Sequence, residues 1–166
     1  MKTVVGDNCY IMINSHIAHD CVIGNNVTMA NSATLAGHVK IEDHVVIGGL
    51  SAVHQFVRIG KHVMIGGVSG VGRDVGPFTM YIGSRDGGIT GLNTVGLKRS
   101  GFSEQAINEI RQAYKILFDT SSGRTLSLGM QEVQERFSGN KSVEYILDFL
   151  NAKSRRGICR FYNEEI

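Results

Sequence analysis

From Val5 onward every sixth residue is a large aliphatic or a methionine, in the unbroken series Ile11, Ile17, Ile23, Met29, Leu35, Ile41, Ile47, Val53, Ile59, Ile65 and Val71. Four positions after each stands a small or β-branched residue, from Cys9 and Ser15 through to Val63, Ser69 and Val75. A Gly or Ala often follows the large residue, as at Gly6, Ala18, Gly24, Ala36, Gly48 and Gly60. An amphipathic helix needs apolar residues three and four apart, and an ordinary strand alternates with a period of two, so neither explains a strict six. A triangular β-solenoid does. Three hexads make one eighteen-residue coil, each side contributes one large aliphatic to the interior, and the chain turns at the corners. Coils then stack like parallel strands, about 4.8 Å apart. The pattern predicts a β-solenoid over residues 1–76.

The hexads stop at Pro77. A glycine-rich stretch follows, carrying Gly83, Gly87, Gly88, Gly91 and Gly96, and is expected to be an ordered connector or substrate-covering loop over 77–101. Ser103 is then placed to cap a helix over Glu104 to Asp119, with Ile107, Ile110, Tyr114, Ile116 and Leu117 at helical spacing. A second, weaker helix over Leu126 to Phe137 is interrupted by Gly129, and Ser142 is expected to cap a third running to about Ala152. Residues 102–166 therefore read as a helical domain whose apolar stripes are packing faces.

Composition narrows the class. The 166 residues are 42% hydrophobic and 19% charged, which fits neither a disordered nor a membrane-embedded chain. No long uninterrupted apolar run occurs, so no integral membrane segment and a cytoplasmic location are expected. The net charge of +2 argues against nucleic-acid binding, although Lys98, Arg99, Arg155, Arg156 and Arg160 make the later chain locally basic. Cys9, Cys21 and Cys159 fit no metal spacing and read as buried free thiols.

The coil count also locates chemistry, because residues eighteen apart lie above one another. His16, His54, His19 and His38 fall within one short arc of the coil, and none occupies an inward position. Asp20 and His38 share a column, as do His19, Gly37 and Gln55, with the glycine opening a space between polar side chains. His44 and His62 share another column and are read as surface or inter-subunit contacts. Imidazole titrates near 6.5 and can accept a proton at neutral pH, which suits His19 to general-base work. Asp20 can orient that ring, or strand alternation can turn its carboxylate away. Clustered imidazoles can also hold zinc, and spacing alone does not choose between the two chemistries.

The segments INSHIAHDC (Ile13 to Cys21), LAGHV (Leu35 to Val39), AVHQF (Ala52 to Phe56), GLKRSGF (Gly96 to Phe102), AYKILF (Ala113 to Phe118) and SRRGICR (Ser154 to Arg160) occur in the order found in UDP-N-acetylglucosamine 3-O-acyltransferases of lipid A synthesis, and nearly all of the chain resembles that family. The resemblance, and not the period, implies a left-handed coil and a homotrimer with sites between subunits. It implies transfer of an (R)-3-hydroxyacyl chain from acyl carrier protein to the 3-hydroxyl of UDP-N-acetylglucosamine, with no cofactor and no metal. By the same likeness His19 is the base, Asp20 supports it and Gly37 offers its N–H to the oxyanion, a donor of the kind worth about 10²–10³ in rate. His16, His38, His54 and Gln55 match positions lining the sugar and acyl sites, Asn93 and Arg99 match nucleotide contacts from a neighbouring subunit, and Gly67, with Met64 nearby, matches the far end of the acyl groove. Arg58, Lys61 and Lys98 are candidates to meet the acidic carrier protein.

The likeness has two departures. MKTVVGDN enters the repeat in mid-coil, so N-terminal coils of the family are expected to be missing, and Ser100 and Val95 stand where the family often has an arginine and an acid. A fragment that keeps the trimeric fold but has reduced activity by itself is therefore expected. Three other readings remain: the related UDP-acylglucosamine N-acyltransferase, a zinc-dependent carbonic-anhydrase-like trimer, and a noncatalytic β-helical assembly module.

Overall fold

The computed structural model describes residues 2–83, 87–119 and 123–162. Twelve two-residue strands follow the hexads: β1 (Val4–Val5), β2 (Tyr10–Ile11), β3 (His16–Ile17), β4 (Val22–Ile23), β5 (Thr28–Met29), β6 (Thr34–Leu35), β7 (Lys40–Ile41), β8 (Val46–Ile47), β9 (Ala52–Val53), β10 (Arg58–Ile59), β11 (Met64–Ile65) and β12 (Gly70–Val71). They form three parallel sheets, β1-β4-β7-β10, β2-β5-β8-β11 and β3-β6-β9-β12. The register Val5↔Ile23↔Ile41↔Ile59 is the eighteen-residue step expected from the pattern. These are the three sides of a solenoid of four coils among the described residues.

Both inward positions of the hexad fill the interior. Cys21, Val27, Ala33, Val39, Val45, Val57 and Val63 are buried beside the large residues from Ile23 to Val71. In the first coil Val5 and Ile11 are 45% and 41% exposed. At each corner one residue takes the left-handed conformation, giving the columns Asp20–His38–Phe56, Asn8–Asn26–His44–His62 and Asn14–Ser32–Leu50–Val68, with φ between 55° and 69°. Asn and Asp adopt this region readily, whereas Leu, Phe and above all β-branched Val do so at a cost. Cys9 is half-buried while Cys21 and Cys159 are buried, and all three are free thiols. Burial pushes the Cys21 and Cys159 thiols above their ordinary value.

The step shortens by two residues after β12. Val75 pairs with Ile59 and Tyr81 with Ile65, so Val75 stands in the column of large aliphatics and not in the small position the count gives it. The segment after Pro77 is not a loop throughout. Strand β13 (Thr79–Ile82) extends the second sheet beyond β11, and β14 (Gly88–Leu92) returns antiparallel to it; helix α1 (Thr94–Arg99) follows. Gly83 follows β13 and Gly87 precedes β14, and residues 84–86 lie outside the described set.

Helix α2 (Glu104–Leu117) begins where expected, with the Ser103 hydroxyl accepting from the Ala106 N–H. Helices α3 (Leu126–Arg136) and α4 (Lys141–Asn151) pack on it. Two expectations change. Asn140, not Ser142, caps α4, its side chain accepting from the Ser142 and Val143 N–H groups. Gly129 does not interrupt α3: a Cβ there would lie 3.1 Å from the Ile116 carbonyl oxygen, so the missing side chain lets α2 and α3 approach closely. A second core containing Phe78, Leu97, Ile107, Ile110, Tyr114 and Val143 seats the helices, and the Tyr114 hydroxyl donates to the Pro77 carbonyl. No helix among the described residues is long and apolar enough to cross a membrane.

Candidate active site

The Asp20–His38–Phe56 corner carries the candidate chemistry. Asp20 turns through φ 60° and His38 through φ 61°, a conformation that swings both side chains out of the strand alternation. The His38 N–H donates to the His19 carbonyl and the Phe56 N–H to the Gly37 carbonyl, which fixes one coil above the next. His19 Nδ1 lies 3.0 Å from Asp20 Oδ2, so the Asp20 carboxylate is aimed at the ring and not away from it. His38 Nε2 is 3.8 Å from the same oxygen, and the two imidazoles meet edge to face with centroids 5.0 Å apart. The hydrogen bond from His19 holds the Asp20 carboxyl below its ordinary value; partial burial works against this, and His38 adds to it.

Gly37 is buried against the His19 ring. A Cβ on Gly37 would stand 2.6 Å from both Cε1 and Nε2 of His19, closer than real side chains come. The glycine therefore keeps the ring in place and leaves the Nε2 edge beside bare backbone. At the neighbouring corner, the Asp7 and Asn25 amides donate to side-chain oxygens of Asn25 and Asp43. Among the described residues no acceptor is found for the Gly37 N–H.

Other predicted residues divide into two sets. His16 and His54 are exposed on the third sheet beside this corner, with His54 Nδ1 3.2 Å from the Gln55 carbonyl, and Gln55 is half-buried. His54 also lines a cavity of about 970 Å³ bordered by Arg73, Arg156 and Arg160. Gly67, Asn93 and Arg99 are not brought to His19 within the chain. Gly67 belongs to the corner of Asn31 and Gly49, where a Cβ would lie 3.4 Å from the Gly49 carbonyl oxygen. Asn93 caps α1, accepting from the Gly96 N–H and donating to the His62 carbonyl, so it is anchored at the remaining corner, with Arg99 exposed at the end of the same helix.

Sequence reasoning overlooked Phe56 and Arg155. Phe56 stacks on His38 at 4.9 Å and 18°, and the Arg155 guanidinium lies 4.7 Å over Phe56, so a ladder runs from His19 to the C-terminal tail. The eighteen-residue column of Asp20, His38 and Phe56 signals the ring stack, but nothing local in the sequence brings Arg155 to it. Three basic or titratable residues are placed otherwise than expected. Arg58 is paired with buried Asp74 and covered by Phe149, and Lys61 lies 3.5 Å over the Tyr145 ring, so neither stands free for a carrier protein. His62 is buried and not at the surface, stacked between His44 and Phe78 and against Phe102. Lys98 is exposed and paired with Glu104 at 2.5 Å.

A stacked hexapeptide coil with a His–Asp pair at one corner and a helical appendage defines the class of hexapeptide-repeat transferases, whose six-repeat family pattern matches residues 2–37. The pattern described as Udp N-acetylglucosamine O-acyltransferase, domain 2, matches residues 74–159, more than half of the chain. The chain is 42% identical over 158 residues to an acyl-[acyl-carrier-protein]–UDP-N-acetylglucosamine O-acyltransferase of Anaeromyxobacter dehalogenans, covering 95% of this chain and 60% of that protein. The solved UDP-N-acetylglucosamine acyltransferase of Francisella novicida matches with a TM-score of 0.87 at 37% identity, over 96% of this chain and 57% of that one. The Campylobacter jejuni enzyme matches with a TM-score of 0.82 at 32% identity, over 96% and 70%. The chain belongs to the UDP-N-acetylglucosamine O-acyltransferase family, and its coil is the left-handed β-helix of that family. It spans about 60% of the length of the curated relatives it matches.

Proposed function

We propose that the His19 corner is an acyl-transfer site, which moves an (R)-3-hydroxyacyl chain from acyl carrier protein to the 3-hydroxyl of UDP-N-acetylglucosamine, the first step of lipid A synthesis. The observation that carries the reading is the His19–Asp20 hydrogen bond with Gly37 over the ring. Nδ1–H donating to Asp20 leaves the Nε2 lone pair free beside Gly37, where it takes the proton of the attacking hydroxyl. The sugar oxygen bonds to the thioester carbonyl carbon, and the Gly37 N–H donates to the resulting oxyanion. Collapse restores the carbonyl and breaks the carbon–sulfur bond; the thiolate takes the proton from the His19 imidazolium, which returns the neutral ring.

The full site is read as shared between copies. Gly67 and helix α1 with its Asn93 cap stand at the two corners that lack His19, so a homotrimer would bring one chain's acyl-groove and nucleotide positions beside another's base. Ile13, Leu50 and Val68, 71%, 68% and 72% exposed at one corner, give such an assembly an apolar edge to cover. The test is transfer of labelled hydroxyacyl from carrier protein to UDP-N-acetylglucosamine by the chain and by an N-terminally extended form. His19→Ala is expected to lower turnover by about 10²–10⁴. Equal turnover in the wild type and His19→Ala would refute the reading.

A further inference from the structure

We propose that His19, Asp20 and His38 form a transition-metal site, best suited to Zn²⁺, whose occupation locks the His19 ring in the tautomer that cannot act as a base. One ligand atom from each residue lies within 4.8 Å of the others. The measured edges are 3.0 Å from Asp20 Oδ2 to His19 Nδ1 and 3.8 Å from the same oxygen to His38 Nε2. Zinc bonds nitrogen and carboxylate oxygen at about 2.0–2.2 Å, so two ligands of one ion can stand up to about 4 Å apart, and only small side-chain rotations close the set. The backbone presents it ready-made: Asp20 and His38 are both held in left-handed corners, joined by the His38 N–H to His19 carbonyl bond at 3.0 Å. Two imidazoles and one carboxylate are a borderline-soft donor set, and the exposed side leaves the remaining coordination positions to water.

Metal binding and general-base work need opposite tautomers. As a base His19 keeps its proton on Nδ1, bonded to Asp20, and offers the Nε2 lone pair. A metal on Nδ1 requires the lone pair there, so the proton leaves Nδ1 for solvent and one is taken up at Nε2, with no net change in protons on a neutral ring. The atom facing Gly37 then carries a hydrogen and accepts nothing. Asp20 is drawn to the ion at the same time, which removes the orienting hydrogen bond. The site itself stands on the three side chains alone; the loss of activity rests on reading His19 as the base.

The test is titration of the chain with Zn²⁺ against a chromophoric chelator, with ¹⁵N spectra of the histidine rings. One ion per chain is expected, with His19 Nε2 changing from unprotonated to protonated as the ion binds. Asp20→Asn and His38→Asn, which both suit a left-handed corner, are each expected to weaken binding about tenfold or more. Zinc binding unchanged in both variants, or a His19 ring still protonated on Nδ1 at saturation, would overturn the proposal. Zinc is also expected to stop acyl transfer and a chelator to restore it; transfer that continues at saturation overturns the lock. A chain that binds zinc here but transfers no acyl group even when metal-free leaves the site standing and counts against the acyl-transfer reading instead.

Discussion

Asp74 holds Arg58 twice: the Arg58 backbone N–H and its Nε each donate to the Asp74 carboxylate at 2.8 Å. Asp74 is fully buried, and its backbone donates to the Gly157 carbonyl and accepts from the Cys159 N–H. Asp74 therefore joins the last coil, where the step shortens, to the C-terminal tail through its backbone and to Arg58 through its carboxylate, while Arg58 also reaches the Phe149 carbonyl near the end of α4. Removing one partner of a buried pair leaves the other charge uncompensated, at a cost of about 3–5 kcal/mol. Asp74→Ala is expected to lower the unfolding free energy by that order in urea melts. A loss below about 1 kcal/mol, the range of an exposed pair, would show that the Asp74–Arg58 pair does not behave as a buried one.

Gly37 is tied to His19 by contact and not by charge. Alanine at 37 requires no unusual backbone angle, and the nearest atoms in its way belong to the His19 ring. Gly37→Ala is expected to fold with a melting temperature close to the wild type, because the exposed His19 ring can swing aside. Transfer is expected to fall by about 10² or more, since a misplacement of about 1 Å costs that much. A Gly37→Ala chain with wild-type turnover would mean that the Nε2 edge is not where the hydroxyl is deprotonated.

Much of this was legible in the sequence because the solenoid converts arithmetic into distance. A period of six fixed which residues face inward, and a period of eighteen put His19 under Gly37 and Asp20 under His38 before any coordinates. The arithmetic failed where the coil ceases to be regular: after Val71 two residues are dropped, and Val75 moves into the column of Ile59. It also could not foresee contacts with the helical part. Arg58, Lys61 and His62 all read as outward positions of the coil, yet Phe149, Tyr145 and Phe102 cover them from elements about forty to ninety residues later. Period reports which way a side chain leaves the coil, not what is laid over it.

His62 gives the fold a sensitivity to acid. Burial holds its pKa down to about 4, with His44 and Lys61 adding to the shift and Asp43 opposing it. The unfolded chain takes up this proton at about 6.5. Above 6.5 both states are neutral here and the full stability is present. As pH falls from about 6.5 the unfolded chain binds more protons than the folded one, so stability drops by up to about 1.4 kcal/mol per pH unit until the folded ring titrates near 4. His62→Asn keeps a residue suited to φ 57°, like Asn8 and Asn26 in the same column, and cannot titrate. The difference in unfolding free energy between the two proteins is expected to narrow as the pH is lowered from 7 to 4. A constant difference across that range would mean that His62 is protonated as easily in the fold as outside it.

The corner of Leu50 and Val68 tests the assembly. Both residues hold left-handed backbone, φ 58° and 57°, a conformation that costs an ordinary L-residue about 1–2 kcal/mol, and both leave most of their side chains exposed. An isolated chain gains nothing from apolar residues there, so Leu50→Asn and Val68→Asn should relieve the backbone and raise the melting temperature of a monomer. Between copies the same side chains would be buried, each worth about 1.5–3 kcal/mol. The double variant is therefore expected to shift the chain from trimer to monomer at micromolar concentration in sedimentation velocity, with the helical and solenoid circular dichroism retained. A variant that remains trimeric, or a wild type that is already monomeric, would show that this corner is not where the copies meet.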